Sequence, residues 1–483
     1  MNTFALVALA SVALRAMAAD PQVTAGPPPV DVSIEEGLQL VLDDALAANL
    51  ELRAGSATVQ QRIAALDKAR ARYLPVLDFA ARYSVADGGR TIDFPVGDLL
   101  NPVYETLDEM LVADGLPPRF PRVKNEQIAL LRDQEQETRF VLSQPLYEPR
   151  IGPAVEANRQ ELNRVEYNMS ALRNRVVRDT KTAYYRWIAT QQAVLILDAS
   201  RELAQVNLDA NESLYRNGRI TRDFVYRAEA DVLEIEQRRM AAESQVRIAQ
   251  SYVNLLRNVP LQAALPRATI DGNAVDRFRD RLIQGLAGRS LSTPELQRLA
   301  TQRRDELRGL DAAVAAGQAQ QELARAAYKP RLLLGAEAGI QGEEYGFEGD
   351  DRYVLASVIL RWNAYRGGAD RAALAEARAL TEERRAARDL VTQQVQQEVL
   401  QSLEGLHVAD ASLATALKRV KAADGAFRIT SRKRDLGQVN QAEFIDARRS
   451  LTEAQLNLTR VRTEFLAKLA ELEFAIGDAS YPD

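Results

Sequence analysis

The chain has 483 residues, 27% of them charged and 6% aromatic, with a formal net charge of −5. So mild and evenly spread a charge excludes a sequence-wide attraction for nucleic acid. The absence of Cys and the presence of a single His, His407, exclude thiolate nucleophiles, disulfides, a lipid-modified N-terminal cysteine and most zinc sites.

Phe4 to Leu14 is a short apolar run, followed by the small residues Ala16, Ala18 and Ala19. Residues 1–19 are therefore predicted to be a signal peptide, although no Lys or Arg precedes the run and Arg15 follows it. Residues 20–32, rich in Pro and Gly, form a flexible lead. No other stretch approaches ~18 uninterrupted apolar residues, so no transmembrane helix is expected. A membrane crossing would have to be made by strands.

A first repeat is predicted over 33–258. Ser33 with Glu36 has the form of a capping box, and helix continues to Tyr73, with a short break at Ala45 to Asn49. Pro75 ends it, because the residue before a proline is pushed toward extended geometry. The period then changes to two. Leu77, Phe79, Ala81, Tyr83 and Val85 share one face of a strand over 76–85. A second strand is predicted over about 138–146, after a long extracellular-type loop, 86–137, with a helical piece near 104–113. From Leu162 the series Val165, Met169, Leu172, Val176, Ala183, Trp187 and Val194 keeps helical spacing. That pattern runs from about 155 to 216, ~90 Å at 1.5 Å per residue. A break at Asn217-Gly218 precedes a returning helix over 223–257.

Residues 259–292, with Pro260, Pro266 and Gly272, read as a linker with room for a small strand or short helix. A second repeat, 293–477, then restates the first, before a tail at 478–483. Glu51-Leu52-Arg53 and Glu306-Leu307-Arg308 open matching helices, which end at Tyr73 to Pro75 and Tyr328 to Pro330, an offset of 255 at both ends. Leu332, Leu334, Ala336, Ala338 and Ile340 line one strand; Val354, Ala356, Val358, Leu360 and Trp362 line the next. Their connection holds the acids Glu343, Glu344, Glu348 and Asp350. A long helix over 371–434, a turn at Gly437 and a return over 442–476 complete the copy. Two copies of this length mark a duplicated half, not a solenoid.

Four short amphipathic strands cannot span lipid alone, since strands there must close into an edge-free barrel of at least ~8 strands. Closure requires several copies: two chains give eight strands, three give twelve.

The duplicated layout resembles the TolC-like outer membrane efflux protein family over nearly the whole mature chain. The resemblance rests on the Tyr-x-Pro step before each first strand, on Leu142-Ser143-Gln144-Pro145-Leu146-Tyr147 and its partner segment Trp362 to Gly368, and on Gly218 and Gly437 at the hairpin tips. It implies a mainly α homotrimer with a small β part: a 12-stranded transmembrane barrel, four strands per chain, continuous with a long α-helical barrel. It places the strands in the outer membrane, in contact with its lipid, and the helices in the periplasm. An adaptor protein and an inner-membrane pump would be the partners. The function implied is an exit channel of a tripartite efflux or type I secretion system.

No catalytic, cofactor-binding or metal-binding residue is expected. Glu443 and Asp446 share a helix face after Gly437 and match the family's two acidic rings, with Glu where the first is usually Asp. The alternative is two solvated acids. An acid on the first hairpin pairs with a base from the other in the family; Asp223 sits one residue early, opposite Arg432, Lys433 and Arg434, which otherwise read as a basic surface run. The tips Gly218, Arg219, Ile220, Gly437, Gln438 and Val439 are the implied adaptor contacts. Gly367-Gly368 reads as a backbone bend, Trp187 as packing, and Trp362 and Tyr147 as membrane-interface aromatics. A periplasmic coiled-coil structural or adaptor protein without a pore is the rival reading.

Overall fold

The computed structural model describes residues 32–268, 273–285, 292–344, 351–436 and 438–478. The predicted signal peptide, nearly all of the lead, part of the linker, Glu348, Asp350, Gly437 and residues 479–483 lie outside them. Among the described residues no helix is long and apolar enough to cross a membrane.

The chain opens with α1 (Ile34–Ala48) and α2 (Leu50–Arg70). The Ser33–Glu36 capping box forms in full, each side chain accepting from the other's backbone N–H at 3.2 and 3.1 Å. The break falls at Asn49, whose Oδ1 accepts from the amides of Glu51 and Leu52 and restarts the helix. Next come β1 (Val76–Val85), β2 (Thr91–Phe94), α3 (Val96–Ala113), β3 (Glu126–Ala129) and β4 (Gln134–Tyr147). The first long hairpin is α4 (Ile151–Arg216) with α5 (Arg222–Leu256). α6 (Ala274–Gly285) and α7 (Thr293–Arg303) precede the second copy, which consists of α8 (Asp305–Arg325), β5 (Arg331–Gly342), β6 (Arg352–Arg361), α9 (Ala369–Asp435) and α10 (Gln441–Ala475).

The loop between β1 and β4 departs from the sequence prediction. β2 and β3 pair into a separate two-stranded sheet, so the described residues hold six strands, not four. The helix predicted near 104–113 begins eight residues earlier and runs through Pro102. The Pro102 carbonyl accepts from Thr106 Oγ1 at 2.8 Å, and Asn125 Oδ1 caps the first turn through Asp98 N at 3.0 Å.

The chain divides into two compact units. One comprises Thr58–Glu166 and Arg308–Asp389 and holds an antiparallel sheet in the order β1-β4-β5-β6. Its register aligns Phe79, Phe140, Ala338 and Val354 across the four strands. Leu77, Leu142, Leu334, Val358 and Leu360 join them on one face, as alternation dictates. Phe79 is 62% exposed and Val354 83%. The opposite face carries the charges among apolar residues such as Val141, Leu333, Leu355 and Ile359: Arg82 pairs with Glu137 at 3.1 Å, and Arg139 with Glu137 at 3.1 Å and Glu337 at 3.4 Å. The two Tyr-x-Pro steps are held alike. Gln144 Nε2 donates to the Tyr73 carbonyl at 2.9 Å, and Trp362 Nε1 to the Tyr328 carbonyl at 3.0 Å. Gly367 and Gly368 both take positive φ (+61° and +86°), the backbone bend expected there.

The other unit comprises Tyr167–Leu307, Leu390–Asp483 and the segment up to Ala57. Its core gathers Trp187, Tyr184, Phe465, Leu466, Leu472 and Leu42, all essentially inaccessible to solvent. Trp187 stacks on Tyr184 with ring centroids 5.7 Å apart, so its role is packing. Burial of each such apolar side chain is worth roughly 1.5–3 kcal/mol.

Candidate functional site

The tips of both hairpins belong to this helical unit. α4 ends in a Schellman motif: Gly218 has φ +68°, Gly218 N donates to Tyr215 O, and Arg219 N donates to Leu214 O, both at 2.9 Å. The long-range bond of that motif recurs at the second tip, where Gln438 N donates to Lys433 O at 2.8 Å. Arg219 and Gln438 are exposed, Ile220 and Val439 half-buried, and Gly437 lies outside the described residues.

Asn440 caps α10. Its Oδ1 accepts from Glu443 N at 2.9 Å, and its Nδ2 donates to Glu443 Oε1 at 3.2 Å. Glu443 is exposed but shares its carboxylate with this cap. Asp446, one turn on, is exposed and lines a cleft of about 490 Å³ with Phe224, Arg227, Glu234, Asn440 and Arg449. Gln441 Nε2 closes the cleft's tip side by donating to the Phe224 carbonyl at 3.0 Å.

Asp223 does not meet the basic run of the second hairpin within the chain. It accepts a short hydrogen bond from Thr221 Oγ1 and sits 4.0 Å from Arg227. Arg434 lies over the Phe444 ring, 4.1 Å from its centroid, and Arg432 is exposed.

A buried charge network, which sequence reasoning missed, fixes the two hairpins together just beyond this cleft. Arg448 and Asp231 are each 2% exposed. Arg448 Nη2 donates to both carboxylate oxygens of Asp231, at 2.7 and 2.8 Å, and Nη1 makes a short bond to Ser200 Oγ. Ser200 and Thr452 hydroxyls meet at 2.9 Å, and Thr452 donates to the Arg448 carbonyl. Arg449 adds a contact of 3.3 Å to Asp231 and one of 2.5 Å to Glu234. Burial pulls the Arg448 guanidinium below its ordinary pKa, and Asp231 opposes that pull. The signal was available: Ile445, Arg448 and Thr452 fall at helical spacing on the seam face of α10, as Ala228, Asp231 and Ile235 do on α5.

Among the described residues no cluster of three or more His, Cys, Asp or Glu side chains could hold a metal ion, and the lone His407 is exposed. The helical unit offers charged and polar surfaces at its helix ends, and the other unit offers a sheet with two unlike faces.

Residues 296–478 match the family model of the outer membrane efflux protein. Among curated protein sequences, none matches the chain. Among solved structures, the Campylobacter jejuni CmeC outer membrane channel is similar with a TM-score of 0.72 at 14% identity, over 92% of this chain and 86% of that one. The open state of the Neisseria gonorrhoeae MtrE outer membrane channel is similar with a TM-score of 0.69 at 18% identity, over 91% and 88%. CusC, described for the conformational changes of its folding and transmembrane channel formation, gives 0.73 at 16% identity, over 92% and 93%. The fold is that of outer-membrane channels. The chain carries an outer membrane efflux protein domain, and the TolC-like family resemblance read from its sequence stands.

Proposed function

We propose that the chain is one subunit of a trimeric outer-membrane exit channel, passively conducting solutes delivered by a periplasmic adaptor and an inner-membrane pump. The observation that carries this reading is the sheet. One face presents Leu77, Phe79, Val354, Val358 and Leu360 to the outside, while the other is laced by Arg82, Arg139, Glu137 and Glu337. An apolar face suits lipid and a charged face suits a water-filled lumen. β1 and β6 are the sheet's edges, and edges cannot stand in lipid unpaired. Three copies close the edges into twelve strands, with the helices continuing into the periplasm.

In this reading Glu443 and Asp446 form two stacked acidic rings that favour cations at the periplasmic mouth. Asp223 closes against Arg432 or Arg434 of a neighbouring copy, because within the chain it is engaged by Thr221 and Arg227. The tips at Gly218, Arg219, Ile220, Gly437, Gln438 and Val439 meet the adaptor. The pump belongs to a tripartite efflux or type I secretion system.

The test is extraction. Membranes from expressing cells should release the protein only with detergent, as a trimer on gels that falls to a monomer on heating. A soluble monomer in the wash would favour a periplasmic coiled-coil protein and end the channel reading.

A further inference from the structure

The two hairpins are in strict register. α5 and α10 are each 35 residues long, and both their ends, as well as the caps Thr221 and Asn440, stand 219 residues apart. Yet their faces are buried unequally. Ile445, Thr452, Thr459, Ala467 and Phe474 of α10 are buried, while their counterparts on α5, Tyr226, Leu233, Met240, Ile248 and Leu255, are exposed by about half or more of their surface. Of the first set, Thr452 meets Ser200 of α4 and Phe474 lies under Arg178 of α4, while Arg448 beside them reaches Asp231 of α5. The second is an apolar stripe that a helix leaves open only where something covers it.

The register names the cover. In a ring of six such hairpins, the contact of α10 with its own α4 and α5 recurs as α5 of one copy against α9 and α10 of the next. This step rests on the trimeric reading above. The buried network then has an image at the boundary between copies. Arg448 maps to Glu229, Asp231 to Ser450, Ser200 to Arg419 and Glu234 to Glu453. We propose that Glu229 of one copy pairs with Arg419 of the next, an ion pair of reversed polarity at the same level as Arg448–Asp231.

Both residues are exposed in the single chain, and among the described residues neither carries an ion pair within it. Their counterparts Arg448 and Ser200 are 2% and 3% exposed. The covering partner is thus a second copy of this chain, and the two kinds of seam differ. The seam within a chain sets two cations, Arg448 and Arg449, against Asp231 and Glu234. The seam between chains sets Arg419 against Glu229 and Glu453, with Ala230 where Arg449 stands.

The chain has no Cys, so thiols can be placed at will. The full chain carrying Glu229→Cys with Arg419→Cys, extracted in detergent and treated with a short bismaleimide, should give covalent dimers and trimers on a denaturing gel. Each single variant should stay monomeric. Uncrosslinked monomer from a sample that migrates as a trimer before denaturation would overturn the pair and leave the trimer standing. A sample with no trimer at all overturns both. In parallel, Arg419→Glu should weaken the trimer band of unheated samples, and adding Glu229→Arg should restore it. Failure of the exchanged pair to restore the band would also overturn the proposal.

Discussion

Asp231→Asn should be among the most damaging polar substitutions in the helical unit. The change removes the carboxylate that holds the buried Arg448 through bonds of 2.7 and 2.8 Å, and also releases Arg449 at 3.3 Å. An unpaired guanidinium 2% exposed cannot recruit water, and breaking a buried pair from one side costs about 3–5 kcal/mol. Arg448→Met should fall at the lower end of that range, because Asp231 keeps Arg449. The double variant Arg448→Met with Asp231→Leu should return to within ~1 kcal/mol of the parent, since replacing both charges removes the desolvation cost along with the attraction. Urea unfolding followed by helical circular dichroism, in a double-mutant cycle, reads the coupling directly. Single variants that each cost less than ~1 kcal/mol, or a double variant as damaging as the sum of the singles, would refute the assignment of this network as a buried fastening.

Other expectations follow from the same geometry. Glu443→Gln with Asp446→Asn should lower cation preference in planar-bilayer conductance; unchanged reversal potentials in a salt gradient would remove these acids as a filter. Phe79→Lys or Val354→Lys should cost ~2–4 kcal/mol if that face meets mid-bilayer lipid, and recovery of either variant in washed outer membranes at parental levels would deny it. Asn440→Ala should destabilise α10 by ~1 kcal/mol through loss of its cap, read as a lower melting temperature. Gly218→Val should destabilise the first tip because φ +68° strains a β-branched residue, while Gly218→Asn is better tolerated. Equal melting temperatures for those two variants would contradict the turn geometry.

Most of the architecture was legible because the periods are long and clean. The apolar faces Leu332 to Ile340 and Val354 to Leu360 keep a period of two despite Leu333, Leu355 and Ile359 on the other side, and Ser33, Asn49 and Gly218 punctuate helices where their chemistry says they should. β4 begins four residues before the predicted strand for a specific reason. Gln134 to Glu137 reads as a polar loop, yet Glu135 and Glu137 meet Arg82 and Arg139 on the sheet's charged face. Charges that look solvated in one dimension are partners in three. α3 extends N-terminally past the piece predicted at 104–113 and runs through Pro102, whose carbonyl accepts from the Thr106 hydroxyl. Arg448 sits inside the run Asp446-Ala447-Arg448-Arg449, where it looks like surface charge until its seam position is weighed.

The strand-to-helix crossovers carry a lesson about what divergence can hide. The carbonyls of Tyr73 and Tyr328 are the same atom in the two copies, and each accepts one hydrogen bond, but the donors are a Gln amide and a Trp indole. A main-chain acceptor cannot mutate, so substitution is free to exchange any donor that reaches it. The joint is thereby preserved with no pair of matching side chains to betray it. Comparison of the two halves letter by letter would pass over this shared fixture, and relatives of this chain can be expected to brace the same carbonyl with other donors again.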